Sequence, residues 1–249
     1  MNNEFGTQAV QQEEKPQMND VQRLFGVFFS PGKTFQDINR KPSFILPLIV
    51  WIVLSLVATA VIMPRIDMEA TIQQQIEKSG RSISDAEMEQ AVAIGGKFAA
   101  IAGYASALFG PILVSLVLGG VFFGLVRLWK GGSTFMKIFS VIIHSFIVQL
   151  IKVIVAIPLV IRKESLLAEE AQQIVQSNLS LFFNREETSA ALYALASRID
   201  IFSIWTLVLI IIGLTAVSKL NVKQSATISI ILWLIYVALT VVVAAIFPS

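Results

Sequence analysis

Within the apolar run 138–161 of this 249-residue chain, five side chains could do chemistry: Ser140, His144, Ser145, Gln149 and Lys152. On a helix they share about half the circumference, because successive residues advance by about 100°. A histidine that titrates near neutrality, facing a lysine counter-ion, is the minimum for a proton or solute path. The alternative is structural. Lys152 lies ten residues before Arg162 and could snorkel toward headgroups, leaving His144, Ser145 and Gln149 to bond neighbouring helices. None of the five apolar runs contains an acidic residue, so a relay within the runs lacks its acid.

A second constellation, Gly26-Val-Phe-Phe-Ser-Pro-Gly32-Lys33-Thr34, invites comparison with a phosphate-binding loop. Five residues separate its glycines where the loop needs four, and Pro31 removes a backbone donor, so no nucleotide is expected. The chain has no cysteine, which excludes thiolate metal sites and disulfides. No metal-ligand cluster or catalytic triad is seen. The sequence therefore predicts a non-enzyme without cofactor.

The elements that must carry these residues are membrane spans. Of the residues 55% are apolar and 14% charged, against about 25% charged in soluble proteins. The windows 44–63, 98–126, 201–218 and 224–249 have no Asp, Glu, Lys or Arg, and 138–161 has only Lys152. A bilayer crossing needs roughly 20 apolar residues, so an all-α integral membrane bundle of five helices is predicted, at about 44–63, 98–128, 136–161, 201–217 and 226–247. Soluble enzymes and nucleic-acid-binding domains are excluded. The seventeen Ile, Leu, Val and Phe residues of 138–161 supply roughly 5–10 kcal/mol toward insertion, outweighing the roughly 2.5–3.5 kcal/mol cost of one lysine.

Residues 1–18 have the composition of a disordered tail, and 44–249 form the membrane domain. In between, Val21, Leu24, Phe25, Phe28 and Phe29 recur at helical spacing behind Asn19 as N-cap. Ser30-Pro31 opens a second stretch with Phe35 and Ile38, so 19–43 reads as two amphipathic helices in the membrane interface. Ser84 to Glu87 forms a capping-box pattern, and 67–78, 164–176 and 188–198 are helical in pattern. Gly120 and Gly124 permit close approach of another helix, and Trp205 suits an outer aromatic belt.

Charge sets the sidedness. The short turns carry Arg127, Lys130 and Lys137, and Lys219 and Lys223; the long connections 64–97 and 162–200 each hold four basic and six acidic residues. Short basic turns stay in the cytoplasm, which predicts an inner N-terminus and an outer C-terminus.

Two stretches resemble the Yip (Ypt-interacting protein) domain family. Pro31, Phe35, Ile38 and Pro42, leading into Phe44-Ile-Leu-Pro47, resemble its N-terminal helix, proline and first span. Asp200-Ile-Phe202-Ser-Ile-Trp205, with Gly213-Leu and Val-Ser218, is similar to the signature of bacterial members. The family's third-span Tyr-Ser is replaced by His144-Ser145. The resemblance implies five spans, a bacterial cytoplasmic membrane, and a role in membrane organisation, trafficking or assembly. Its partners would be the lipid bilayer, other membrane proteins or a second copy. The Asp-Leu-Tyr-Gly-Pro type motif that eukaryotic members use toward small GTPases is absent. A small transporter or lipid-handling protein using the stripe is the alternative.

Overall fold

The computed structural model describes residues 16–80, 82–185 and 187–246. Among them the chain is helical with two isolated bridges, Ile66 to Leu166 and Asn178 to Asp200. The expected tail lies outside the described residues as far as residue 15, and so does Phe247 at the expected end of the fifth span.

Two short helices come first, α1 (Asp20–Phe29) and α2 (Pro31–Arg40), followed by α3 (Ile45–Ile62) and α4 (Met68–Lys78). Next come α5 (Asp85–Leu128), α6 (Phe135–Phe146), α7 (Gln149–Ile161), α8 (Ala168–Gln173), α9 (Ala190–Arg198), α10 (Ile201–Val217) and α11 (Val222–Ile246). The caps follow the sequence. Asn19 with Gln22 and Ser84 with Glu87 form capping boxes, and Asp67, Thr134, Ser189 and Asp200 each accept a backbone N–H in the first turn they open. The helix expected over 164–176 is shorter, Ala168–Gln173.

Four helical segments are long and apolar enough to cross a membrane: Ile45–Arg65, Asp85–Leu128, Phe135–Ile161 and Val222–Ile246. The expected fourth span, Ile201–Val217, is apolar but has 17 residues, about 25 Å against a hydrocarbon thickness of about 30 Å. The α6–α7 segment is the bundle's centre, with most of its apolar window buried, whereas little of the windows of α3 and α11 is buried. Such helices, apolar on every side, are what lipid contact requires.

Paired contacts fix the relative depths. α3 runs parallel to α6–α7, with Phe44 against Phe139 at 5.0 Å and Trp51 stacked on Phe146 at 5.3 Å between ring centres. α10 runs the opposite way: Gly213 lies against Val141, Thr206 against Gln149 and Asp200 against Lys152. The third span, expected over about 136–161, is the segment Phe135–Ile161, which is not one uniform helix. Instead, the chain tightens at Ile147 and Val148, where Ile147, Leu150 and Ile151 donate to carbonyls three residues back. Ser140 Oγ, His144 Nδ1 and Ser145 Oγ each bond the carbonyl four residues earlier, a competition that bends helices.

Both basic turns use the same device. Lys130 and Lys219 follow the last turns of α5 and α10 in the left-handed region, at φ 59° and 60°. The turns also touch: Gly132 N–H donates to Ser218 O at 2.8 Å, and a Cβ on Gly131 would lie 2.9 Å from that same oxygen. Gly120 and Gly124, the expected close-approach pair, have nothing within 4 Å of a built Cβ; their neighbour Gly119 faces Phe139 instead.

Candidate functional site

Every member of the stripe on α6–α7 has a direct protein partner. Ser140, His144 and Ser145 are fully buried. His144 Nδ1 lies 2.8 Å from Ser140 O, and since a carbonyl only accepts, Nδ1 carries the proton. Its Nε2 is buried with no hydrogen-bond partner among the described residues. Gln149 Nε2 donates to Thr206 Oγ1 at 3.0 Å. Lys152 Nζ donates to Asp200 Oδ2 at 3.0 Å rather than reaching for headgroups.

Asp200 is the residue on which this end of the site is built. Oδ1 caps α10 through the N–H groups of Phe202 and Ser203, at 2.9 and 3.1 Å, and Oδ2 takes Lys152 and the Ser177 hydroxyl. The bridge between Asn178 and Asp200 adds two backbone bonds, Leu179 N–H to Ile199 O and Ile201 N–H to Ser177 O. Four donors saturate the carboxylate, so the cluster closes on itself and leaves no acceptor for a ligand. Lys152 lies ten residues before Arg162 and fifteen after Lys137, about 15 and 22 Å along a helix. The ion pair is therefore set well inside the charged ends of the third span.

Two cavities flank the bundle without touching the stripe. One, of about 110 Å³, is lined by Gln173, Gln176, Asn178, Ser180 and Tyr193; the other, of about 480 Å³, is an open cleft between α4 and α5 beside Glu69, Asp85 and Glu89. No group of acidic or histidine residues that could hold a metal is found among the described residues.

A second polar cluster went unread in the sequence. Arg23 on α1 and Asp37 on α2, each 2% exposed, form a buried ion pair. Arg23 Nε and Nη2 both lie 2.8 Å from Asp37 Oδ2, while Nη1 donates to Lys41 O at 3.0 Å and Ser43 Oγ at 2.7 Å. The N–H groups of Gln17 and Met18 donate to Asp37 at 2.6 and 3.2 Å, tying the entry of α1 to α2. Burial pushes the Asp37 carboxyl up, but these two amides and the Arg23 guanidinium outweigh it and hold the group below its ordinary 3.8. The only signal in the sequence was an arginine among Leu24, Phe25 and Val27, which reads as the polar edge of an amphipathic helix.

The two distant stretches that carried the resemblance meet here. Phe35 of α2 is fully buried and stands 3.3 Å from a Cβ built on Gly213, a position where that Cβ would also collide with Val141. Phe28 meets Trp205 edge-on at 6.1 Å, so this tryptophan faces the N-terminal helices rather than serving only as a belt residue. Pro31 occupies the first turn of α2, where a missing N–H costs nothing, Pro42 lies in the link to α3, and Phe202 packs against the buried core. A model of the Yip1 domain matches residues 25–244, which takes in both stretches. The chain belongs to the Yip1 domain family. Comparison with curated proteins and with solved structures gives no match. As a Yip1 protein with several apolar helices, it is an integral membrane protein of the lipid bilayer. Its site, on this geometry, is a set of internal staples.

Proposed function

We propose that this Yip1 protein is a non-enzymatic membrane-organising or assembly protein with five spans, held in a bacterial cytoplasmic membrane with its N-terminus inside and its C-terminus outside. The observation that carries the reading is the internal bonding of the stripe: each of its five residues bonds protein, at Met136 O, Ser140 O, Val141 O, Thr206 or Asp200, and His144 Nε2 alone among their side-chain nitrogens is buried without a partner among the described residues. For the short fourth span, α9 precedes α10 and bonds the outer half of α11 through Arg198 and the Tyr236 hydroxyl at 3.0 Å, which lengthens the crossing. The signature at Asp200 to Ser218 supports the bacterial assignment, and the basic turns at 127–137 and 219–223 support the sidedness.

The transporter reading has one observation in its favour. The third span tightens at 147–148, the chain breaks at Ile199 before the fourth span opens at its Asp200 cap, and an ion pair joins Lys152, just past the tightening, to that cap. Interrupted helices near mid-membrane are where transporters bind ions. The saturation of Asp200 keeps this reading second.

Purified protein in liposomes is expected to give no ion flux and no lipid scrambling above protein-free vesicles, and capture from native membranes to recover integral membrane partners or a second copy. A saturable flux that disappears in both Lys152→Met and His144→Leu, with the fold intact, would establish the transporter. Reporter fusions at Gly132 and Asn221 are expected to read cytoplasm, and those at Ser82, Asn178 and Ser249 the outside; a cytoplasmic C-terminus overturns the sidedness.

A further inference from the structure

We infer that α1 and α2 form a re-entrant hairpin, inserted end-on into the bilayer leaflet nearer the basic turns, with one edge solvated by acyl chains. A flat amphipathic helix would touch the bundle at one depth only. This hairpin touches it at three. Asn39 Oδ1 accepts from Lys137 Nζ at 2.8 Å, at the charged mouth of α6; Phe35 lies against Gly213, one turn deeper; and Phe28 reaches Trp205, eight residues and about 12 Å further along α10.

The exposure of α10 gives the same result from the other side. Ile201, Ile204, Trp205 and Val208 are exposed apolar residues, whereas no residue from Leu209 to Val217 is exposed. One half of this helix meets lipid directly, and the hairpin, through α2, covers the other. A helix covering an apolar helix at hydrocarbon depth must itself be at that depth. At ten residues, or about 15 Å, each arm spans about half of a 30 Å hydrocarbon layer.

The chemistry of the hairpin fits that medium. The outer edge of α1 presents Val21, Phe25 and Phe29, four residues apart and 54%, 59% and 86% exposed, with the most exposed residue at the tip. Such an edge is a liability in water and ordinary in hydrocarbon. The charges that face inward are bonded to one another: Arg23 and Asp37 share one satisfied network, as a low-dielectric site demands. Lys33, the deepest exposed charge, is six residues or about 9 Å beyond Asn39, a distance that a lysine stem makes up in large part. The partner is thus the acyl chains of a single leaflet. Naming that leaflet cytoplasmic rests on the sidedness proposed above; the depth does not.

Because the chain has no cysteine, single-cysteine variants of the full-length protein in liposomes test the depth directly. A water-soluble maleimide, which needs a hydrated thiolate, is expected to label Lys41→Cys about tenfold or more faster than Phe29→Cys. A bimane at position 29 is expected to be quenched best by lipids brominated at mid-chain, and one at position 21 by lipids brominated near the headgroup. Phe29 is so exposed that its replacement leaves the packing intact, and Phe25→Cys serves as a second deep probe. Equal labelling at 29 and 41, or shallow quenching at 29, overturns insertion. Cross-linking of Phe29→Cys between two copies with loss of lipid quenching overturns lipid as the occupant. Reporter fusions that fail while deep quenching holds would reverse the leaflet and leave the hairpin standing.

Discussion

Arg23→Met is expected to melt the N-terminal hairpin while the long helices stay folded. Removing one partner of a buried pair leaves the other as an uncompensated charge, a loss of about 3–5 kcal/mol. Asp37 would keep two amide donors from Gln17 and Met18 and the more distant Arg40 at 3.9 Å, and lose the two close guanidinium contacts that neutralise it best, while Lys41 O and Ser43 Oγ would lose their donor as well. Such a loss exceeds what a ten-residue helix pair with one buried face holds in reserve. Limited proteolysis in mild detergent should therefore cut within 19–41 in Arg23→Met and spare it in the parent. Arg23→Lys should recover only part, because an ammonium cannot make the forked contact that Nε and Nη2 make with Oδ2. Parental resistance in Arg23→Met would show that the pair contributes nothing net. The pH dependence has a definite sign. A carboxyl whose folded value lies below 3.8 contributes fully above that pH and loses its contribution as pH falls through the folded value. Protection of 19–41 should be flat from pH 8 to about 5 and fall only in the acid range below about 4.

The helices and their caps were legible because each is decided locally. Asn19 and Ser84 stand where an oxygen is needed at a helix start, and the observed helices begin beside them. Which face of α1 packs on the protein was not legible, for a reason particular to membranes. Val21, Phe25 and Phe29 recur with the same helical period as a core face, but it is Arg23, Gly26 and Val27 that turn inward. When both lipid and protein favour apolar side chains, periodicity identifies the helix and not the side that packs. The glycines behaved alike: the pattern drew attention to Gly120 and Gly124, while Gly26, Gly119, Gly131 and Gly213 are among those that take a close neighbour, set by what stands opposite them.

The partner of Lys152 escaped for another reason. Acids were counted inside the apolar runs, and Asp200 stands one residue before its run, at the N-cap of α10. Measuring rise from the two basic turns would have found it: Lys152 is fifteen residues beyond Lys137 and Asp200 nineteen before Lys219, comparable depths on antiparallel helices. The family-signature positions Phe35, Trp205 and Gly213 were named without their reason. Their common element is a single seam, where the α1–α2 hairpin lies against α10, and that seam exists only in three dimensions.

Asp200→Ala is expected to be more damaging than Lys152→Met, and the ratio tests whether the site is a staple or a path. The aspartate serves two ends at once. Its loss strips α10 of a cap, about 1 kcal/mol, and leaves the partly buried Lys152 beside Ser177 without a counter-charge, a further loss of about 2–4 kcal/mol. Lys152→Met takes away the lysine's own cost of insertion and leaves Asp200 with three donors, Ser177 and the amides of Phe202 and Ser203. Its expected loss is about 1–2 kcal/mol, not the neutral or stabilising change that a lysine snorkelling alone would give. Asp200→Asn keeps the capping oxygen, and its combination with Lys152→Met removes both charges and should regain most of the difference. Melting of the four variants in one detergent, read as a double-mutant cycle, gives the coupling directly. Additive losses would mean that the 3.0 Å contact is incidental, and the closed bonding that separates a staple from a path would lose its anchor.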